Sequence, residues 1–202
     1  MSTAMQTHDL AIALLHHPVL NKRGERIGSA VTNLDLHDIS RAARTYGVHD
    51  YYVATPYEDQ LELIGEITEH WKNGHGASAN PARGEALAIV RPVVGFEAIV
   101  EDMQRRLGQE PLVVATSAKP QAAQMGYGEL RAHLDRKIAP VLLLFGTAHG
   151  LTPEVMNRAD AVLPPIGRHS DYNHLSVRSA VSIILDRLLG DREDYLTFKN
   201  IA

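Results

Sequence analysis

Short apolar runs alternate along the chain with longer segments in which apolar residues recur every three or four positions. The runs cover residues 10–15, 51–54, 86–90, 112–115, 141–145 and 161–163. Strands that alternate with helices in this way predict an α/β domain. Several runs are apolar at every position, where a half-exposed strand would alternate with polar residues. They therefore predict central strands of a mostly parallel sheet with helices on both faces. Residues 28–31 read as a short extension or a turn.

Between the runs, residues 36–46 place Ile39, Ala42, Ala43 and Tyr46 on one helical face, stop at Gly47, and have Asp35 as the expected cap. Thr55, Pro56, Tyr57 and Glu58 read as a capping threonine, a first-turn proline and a glutamate three positions after the cap, opening a helix to about Trp71. Further helices are expected over 96–107, ended by Gly108, over 129–138, ended before Pro140, and briefly from Thr152. The last, 174–189, carries Val177, Val181, Ile184 and Leu188 on one stripe and stops at Gly190. Residues 73–85, with Gly74, Gly76, Pro81 and Gly84 among small polar residues, predict a mobile loop. That loop is expected to lie inside one domain spanning 1–202, with a tail over 191–202.

Composition narrows the function classes. The chain of 202 residues has 45% apolar and 22% charged residues, as an ordinary globular protein does. It shows no membrane-length apolar stretch and no N-terminal export signal, so a cytoplasmic protein is expected. The absence of cysteine excludes disulfides, thiolate metal sites and thiol nucleophiles. A formal charge of −4 means that nucleic acid, if bound, meets a local basic patch and not a global positive field. Arg23, Arg26, Arg41, Arg44, Arg83 and Arg168 are candidates for such a patch, with residues 73–85 as a clamp. His16 and His17 are adjacent, so their side chains diverge and make no natural chelate.

Ligands of open parallel sheets bind beyond the carboxyl ends of the strands. Three loops there stand out. Thr116, Ser117, Ala118, Lys119 and Pro120 form a small polar loop. In Gly146, Thr147, Ala148, His149 and Gly150, two glycines allow a tight turn that exposes amide donors. Residues 164–176 pack Arg168, His169, Ser170, Asp171, Tyr172, Asn173 and Ser176 between a buried run and a helix, more polar groups than one cap needs. Neither a phosphate loop nor a dinucleotide fingerprint is present.

The order of these segments resembles the three-motif layout of the SPOUT family of RNA methyltransferases. The motifs are Asn33 and Arg41 in TNLDLHDISRAAR, then LLLFGTAHGL at 142–151, then LPPIGRHSDYNHLSVRSA at 163–180. The similarity is to a bacterial branch related to tRNA guanine-N1 and tRNA ribose methyltransferases, with an Asn-to-Arg spacing two residues longer than in the ribose enzymes.

The resemblance implies a C-terminal deep trefoil knot, an exception to the rule against knots, and a homodimer binding S-adenosylmethionine without a metal. It implies that Thr116, Ser117, Ala118, Phe145, Gly146, Thr147, Gly150, Ile166, Gly167, Asn173, Leu175 and Ser176 line the cofactor, largely through backbone groups. A branched side chain at Gly146 is then expected to block adenosine and spare the fold. Asn33, Arg168, His169 and Tyr172 would face the RNA, a tRNA or rRNA. Arg41 is the expected base for a ribose hydroxyl, and Asp171 for guanine N1. The alternatives are a knotted S-adenosylmethionine-binding or RNA-binding protein without turnover and a nucleotide-binding α/β protein of unrelated chemistry.

Overall fold

The computed structural model describes residues 9–122, 124–167 and 172–191. The chain runs β1 (Leu10–Leu15), β2 (Val19–Leu20), β3 (Arg26–Ile27), α1 (Asn33–Thr45), β4 (Asp50–Ala54), α2 (Glu58–Lys72), α3 (His75–Ala79), α4 (Pro81–Leu87) and β5 (Val90–Val93). It continues through α5 (Phe96–Leu107), β6 (Leu112–Ala115), α6 (Tyr127–Asp135), β7 (Val141–Gly146), α7 (Pro153–Met156), β8 (Ala161–Val162) and α8 (Val177–Leu189). Six strands form one parallel sheet in the order β5-β4-β1-β7-β6-β8, and β2 and β3 make a separate antiparallel hairpin.

The two faces of the sheet follow from the alternation of side chains along each strand. Leu10, Ile12, Leu14, Tyr51, Val53, Val141, Leu143 and Phe145 pack with Leu36 and Ile39 of α1, Leu130 of α6, and Val181, Ile184 and Leu188 of α8. On the other face Ala11, Ala13, Leu15, Tyr52, Ala54, Leu142 and Leu144 meet Phe96, Ile99 and Met103 of α5 and Val155 of α7. All six residues of β1 are buried, which is why the run carries no polar alternation.

Several local expectations are displaced, each for a visible reason. The cap of α1 is Thr32, not Asp35: the Thr32 hydroxyl donates to the Asp35 carboxylate at 2.6 Å and accepts the Asp35 N–H at 3.2 Å. The helix therefore starts earlier, and Asn33 is its first residue, outside any loop. Thr55 does not cap α2, because its N–H donates to Val93 O at 3.0 Å and keeps it in the sheet. Helix α2 accordingly begins at Glu58, after Tyr57. Ser176 caps α8 by accepting the Ser179 N–H, so that helix starts three residues later than expected. The helix expected over 129–138 lies instead at Tyr127–Asp135.

Two larger differences lie in the segment 73–90. Residues 73–85 form α3 and α4, packed against α1 and α2, in place of a loop. Ala86 and Leu87, read as strand, end α4 and are buried there, and the edge strand begins at Val90. The apolar character of 86–90 therefore comes from helix packing first and sheet pairing second.

Candidate functional site

Strands β7, β6 and β8 are neighbours in that order and parallel, so the turns that follow them emerge side by side at one edge of the sheet. Adjacent strands lie about 4.8 Å apart, which places all three turns within the span of one small ligand. Main-chain bonds lock them together: Thr116 N–H donates to Leu144 O at 3.0 Å and Leu163 N–H to Ala115 O at 2.9 Å. Asn173 then reaches across, its Nδ2 donating to Ala118 O at 2.8 Å. The first and third candidate loops thus share a direct tie.

Two threonines repeat one device. Thr116 gives both its N–H and its hydroxyl to Leu144 O, and Thr147 gives both to Leu15 O. Each hydroxyl covers a carbonyl near the carboxyl end of the neighbouring strand. The N–H groups of Ser117, Ala118, Ala148 and Gly167 donate to no described residue. Amides exposed in such turns are chemically suited to a carboxylate or to a heterocycle's acceptor nitrogens.

The turn after β7 is tightly built. Ala148 has φ +51° and Gly150 φ +102°, both left-handed, and a non-glycine residue there carries strain. His149 N–H bonds Leu20 O and Leu20 N–H bonds Gly150 O, both at 2.9 Å, so the β2–β3 hairpin pins the turn from outside. A Cβ on Gly146 would lie 2.7 Å from Leu151 N and 2.9 Å from Gly150 C. Glycine at 146 is thus required by the turn itself, which corrects the expectation that a branched side chain there would spare the fold. A Cβ on Gly150 or Gly167 meets nothing within 4 Å.

Phe145 is buried beneath the turn, Ile166 is half-buried against the core, and Ser176 acts as a helix cap. Tyr172 and Leu175 are exposed, with the Tyr172 ring 5.0 Å from that of His174. Arg168, His169, Ser170 and Asp171 lie outside the described residues. Asn33 is exposed at the start of α1, and Arg41 is exposed about 12 Å further along the helix at 1.5 Å per residue. The Arg41 guanidinium forms no hydrogen bond or ion pair with a described residue. Of the candidate arginine patch, Arg26 pairs with Glu154 at 3.1 Å on the hairpin, Arg83 lies 4.7 Å over Trp71, and Arg83 and Arg41 both act on the His37 imidazole.

Sequence reasoning gave no functional role to His16, Asp35 or Arg178. His16, directly after β1, is fully buried, with Nδ1 3.0 Å from Ser29 Oγ and Nε2 without a partner. Arg178 of α8 faces Asp35 at 3.9 Å and Asp38 at 3.6 Å. The place of Asp35 on the buried side of a capped helix and the arginine inside an apolar stripe were the available signals. Among the described residues no group of three His, Asp or Glu side chains converges as a metal site, and no helix is long and apolar enough to cross a membrane.

Burial pushes the His16 imidazole below its usual value, against a smaller opposing pull from Asp35. His17 and His37 shift in the same direction, chiefly through burial. Protons then bind the unfolded chain more readily than the folded one, so stability should fall as pH drops below about 6.5. The melting temperature is expected to be lower at pH 5.5 than at pH 7.5, and His16→Asn should narrow the difference. An equal pH dependence in that variant would contradict the assignment to His16.

The model of a protein family described as "SAM-dependent RNA methyltransferase" matches residues 9–190. A "tRNA (guanine-N(1)-)-methyltransferase" of Oleidesulfovibrio alaskensis is 50% identical over 91% of this chain, and the chain spans only 42% of that protein's length. An uncharacterized protein of Aquifex aeolicus is 40% identical over 91% of this chain and 90% of its own. The solved TrmH/SpoU tRNA modifying enzyme of A. aeolicus superposes with a TM-score of 0.58 at 17% identity, covering 94% of this chain and 78% of that one.

Proposed function

This chain belongs to the family of S-adenosylmethionine-dependent RNA methyltransferases, and from that premise we propose that the turns after β6, β7 and β8 hold the methyl donor. The observation that carries this reading is the set of amides at Ser117, Ala118, Ala148 and Gly167, in the turns that follow three neighbouring strands, which no described residue accepts. Their chemistry fits the donor, whose adenine acceptor nitrogens and carboxylate need N–H partners. The open space beside Gly150 and Gly167 leaves room for its approach. Bound there, S-adenosylmethionine would supply an electrophilic methyl group on a sulfonium.

The chain's own residues then have distinct tasks. Ser117, Ala118, Ala148 and Gly167 bind through backbone N–H groups, Thr116, Thr147 and Gly150 hold those turns in place through their own main-chain bonds, Ile166 and Leu175 shield the pocket from water, and Asn173 holds the first turn against the third. Asn33, Arg168, His169 and Tyr172 would contact the RNA. The two candidate bases suit different acceptors: Asp171 for guanine N1, Arg41 for a ribose hydroxyl. Arg41, two turns along α1 from its N-terminus, would serve the site of a second copy, in keeping with a homodimer that covers the exposed Leu34 of the same helix. The return of the chain from the edge strand β8 to α8, packed on α1, α6 and β7, supports a threaded C-terminal knot.

The test is transfer of labelled methyl from S-adenosylmethionine to unmodified tRNA and rRNA, followed by nucleoside mass spectrometry. Labelled 1-methylguanosine supports Asp171 and labelled 2′-O-methylnucleoside supports Arg41. Absence of label in every RNA, with the donor still bound, would favour binding without turnover. Asn173→Ala removes one hydrogen bond between turns and should weaken donor binding about five-fold, from roughly 1 kcal/mol. Unchanged affinity by calorimetry would remove Asn173 from the pocket.

A further inference from the structure

One buried polar group has no place in the functions assigned so far. The side chain of His16 sits directly behind the turn after β7, at the carboxyl end of the central strand, with no exposure to solvent. Its N–H donates to Ala54 O at 2.9 Å, and its carbonyl accepts the Ser29 N–H at 2.8 Å. From the imidazole a line of hydroxyls runs to the turn: His16 Nδ1 to Ser29 Oγ at 3.0 Å, then Ser29 Oγ to Thr147 Oγ1 at 2.5 Å, then Thr147 Oγ1 to Leu15 O at 3.2 Å.

The proton order along this line follows from satisfying every group. With the proton on Nδ1, His16 donates to Ser29, Ser29 donates to Thr147 and Thr147 donates to Leu15 O, so each hydroxyl accepts once and donates once. The other tautomer reverses the line, deprives Leu15 O of the Thr147 hydroxyl and buries an Nε2–H donor that has no acceptor. The first arrangement leaves only a lone pair on Nε2 unmatched.

What the line holds is a strained residue. Ala148, next to Thr147, is in the left-handed region, which costs an alanine roughly 1–2 kcal/mol and persists only where its neighbours are fixed. On its far side His149 is tied to Leu20, and on its near side Thr147 is tied by Leu15 and Ser29.

We propose that His16 is a positioning residue for the methyl donor: through Ser29 it holds Thr147 and so keeps the Ala148 amide turned toward the pocket. This inference rests on the reading that the turn lines the donor site. His16 touches no reacting atom; it acts through Ser29 and Thr147.

Two substitutions separate positioning from mere filling of space. The amide nitrogen of asparagine falls near the position of Nδ1, and that of glutamine near Nε2. Binding of S-adenosylhomocysteine, measured by calorimetry, should therefore be retained within about three-fold in His16→Asn. It should weaken about ten-fold in His16→Gln and in Ser29→Ala, for the loss of one or two hydrogen bonds. The combined His16→Gln, Ser29→Ala variant should bind no more weakly than either single variant, because both cut the same line. In turnover the loss should appear in KM for S-adenosylmethionine, with kcat nearly unchanged. Melting temperatures taken in parallel identify variants that are only less stable. Equal affinity in all variants, or equal loss in Asn and Gln, overturns the role of His16 while the pocket stands. No binding by the wild-type protein overturns the pocket itself, and the proposal with it.

Discussion

Replacing Gly146 with valine should abolish binding of S-adenosylmethionine and also lower the melting temperature. The first Cβ atom alone would stand 2.7 Å from Leu151 N and 2.9 Å from Gly150 C, and both are main-chain atoms of the same turn. Neither can give way without opening the loop, and the two further methyls of valine add to the overlap. Overpacking of this kind costs about 1–3 kcal/mol, here at the upper end. For a domain of this size that lowers the midpoint by roughly 5–10 °C. With the turn open, Ala148 leaves its left-handed conformation and its amide is lost to the pocket. Gly150→Ala should do less, since its Cβ meets nothing and only the φ of +102° opposes it. Calorimetry and a thermal melt check both outcomes. A valine variant that binds like the wild type, or melts with it, would contradict this account of the turn.

The second large effect is expected far from the pocket, at Gly84. A Cβ there would lie 2.5 Å from Trp71 O, the backbone of α2. Helix α4 lies against α2 at this contact, with Arg83 stacked 4.7 Å over the Trp71 ring and the His37 ring edge-on to the same indole at 5.5 Å. Gly84→Ala should cost about 2 kcal/mol and speed amide exchange across residues 81–87. A mobile clamp over 73–85 would tolerate the alanine, so an unchanged melting temperature would restore that reading.

These two glycines show what a sequence can and cannot disclose. Gly146 was recognisable as a turn residue beside a buried run, because the run and the turn are both local. Whose atoms crowd it was not, since Leu151 folds back only in three dimensions. Gly84 carried the opposite signal: three glycines and a proline within twelve residues read as a loop, yet Gly76 and Gly84 allow close approach to Trp71.

The strands were legible where they are buried on both sides, as in β1, β6 and β7, and misplaced at β5. There Ala86 and Leu87 are apolar on account of a helix. The positions of the three candidate turns followed from the strand runs. Their adjacency depends on the strand order β7-β6-β8, which no local pattern encodes. His16 was read only as a poor chelator, because only the folded hairpin, with Ser29 behind it, turns a histidine after a strand into a buried one.

Three turns are proposed to act as one receptor for the methyl donor, and amide hydrogen exchange with and without S-adenosylmethionine measures that directly. Slowed exchange confined to residues 116–118, 146–150 and 163–167, with little change in α3, α4 and α5, is the predicted result. Calorimetric binding that leaves those segments unprotected, or protects another edge of the sheet, would show that the donor sits elsewhere.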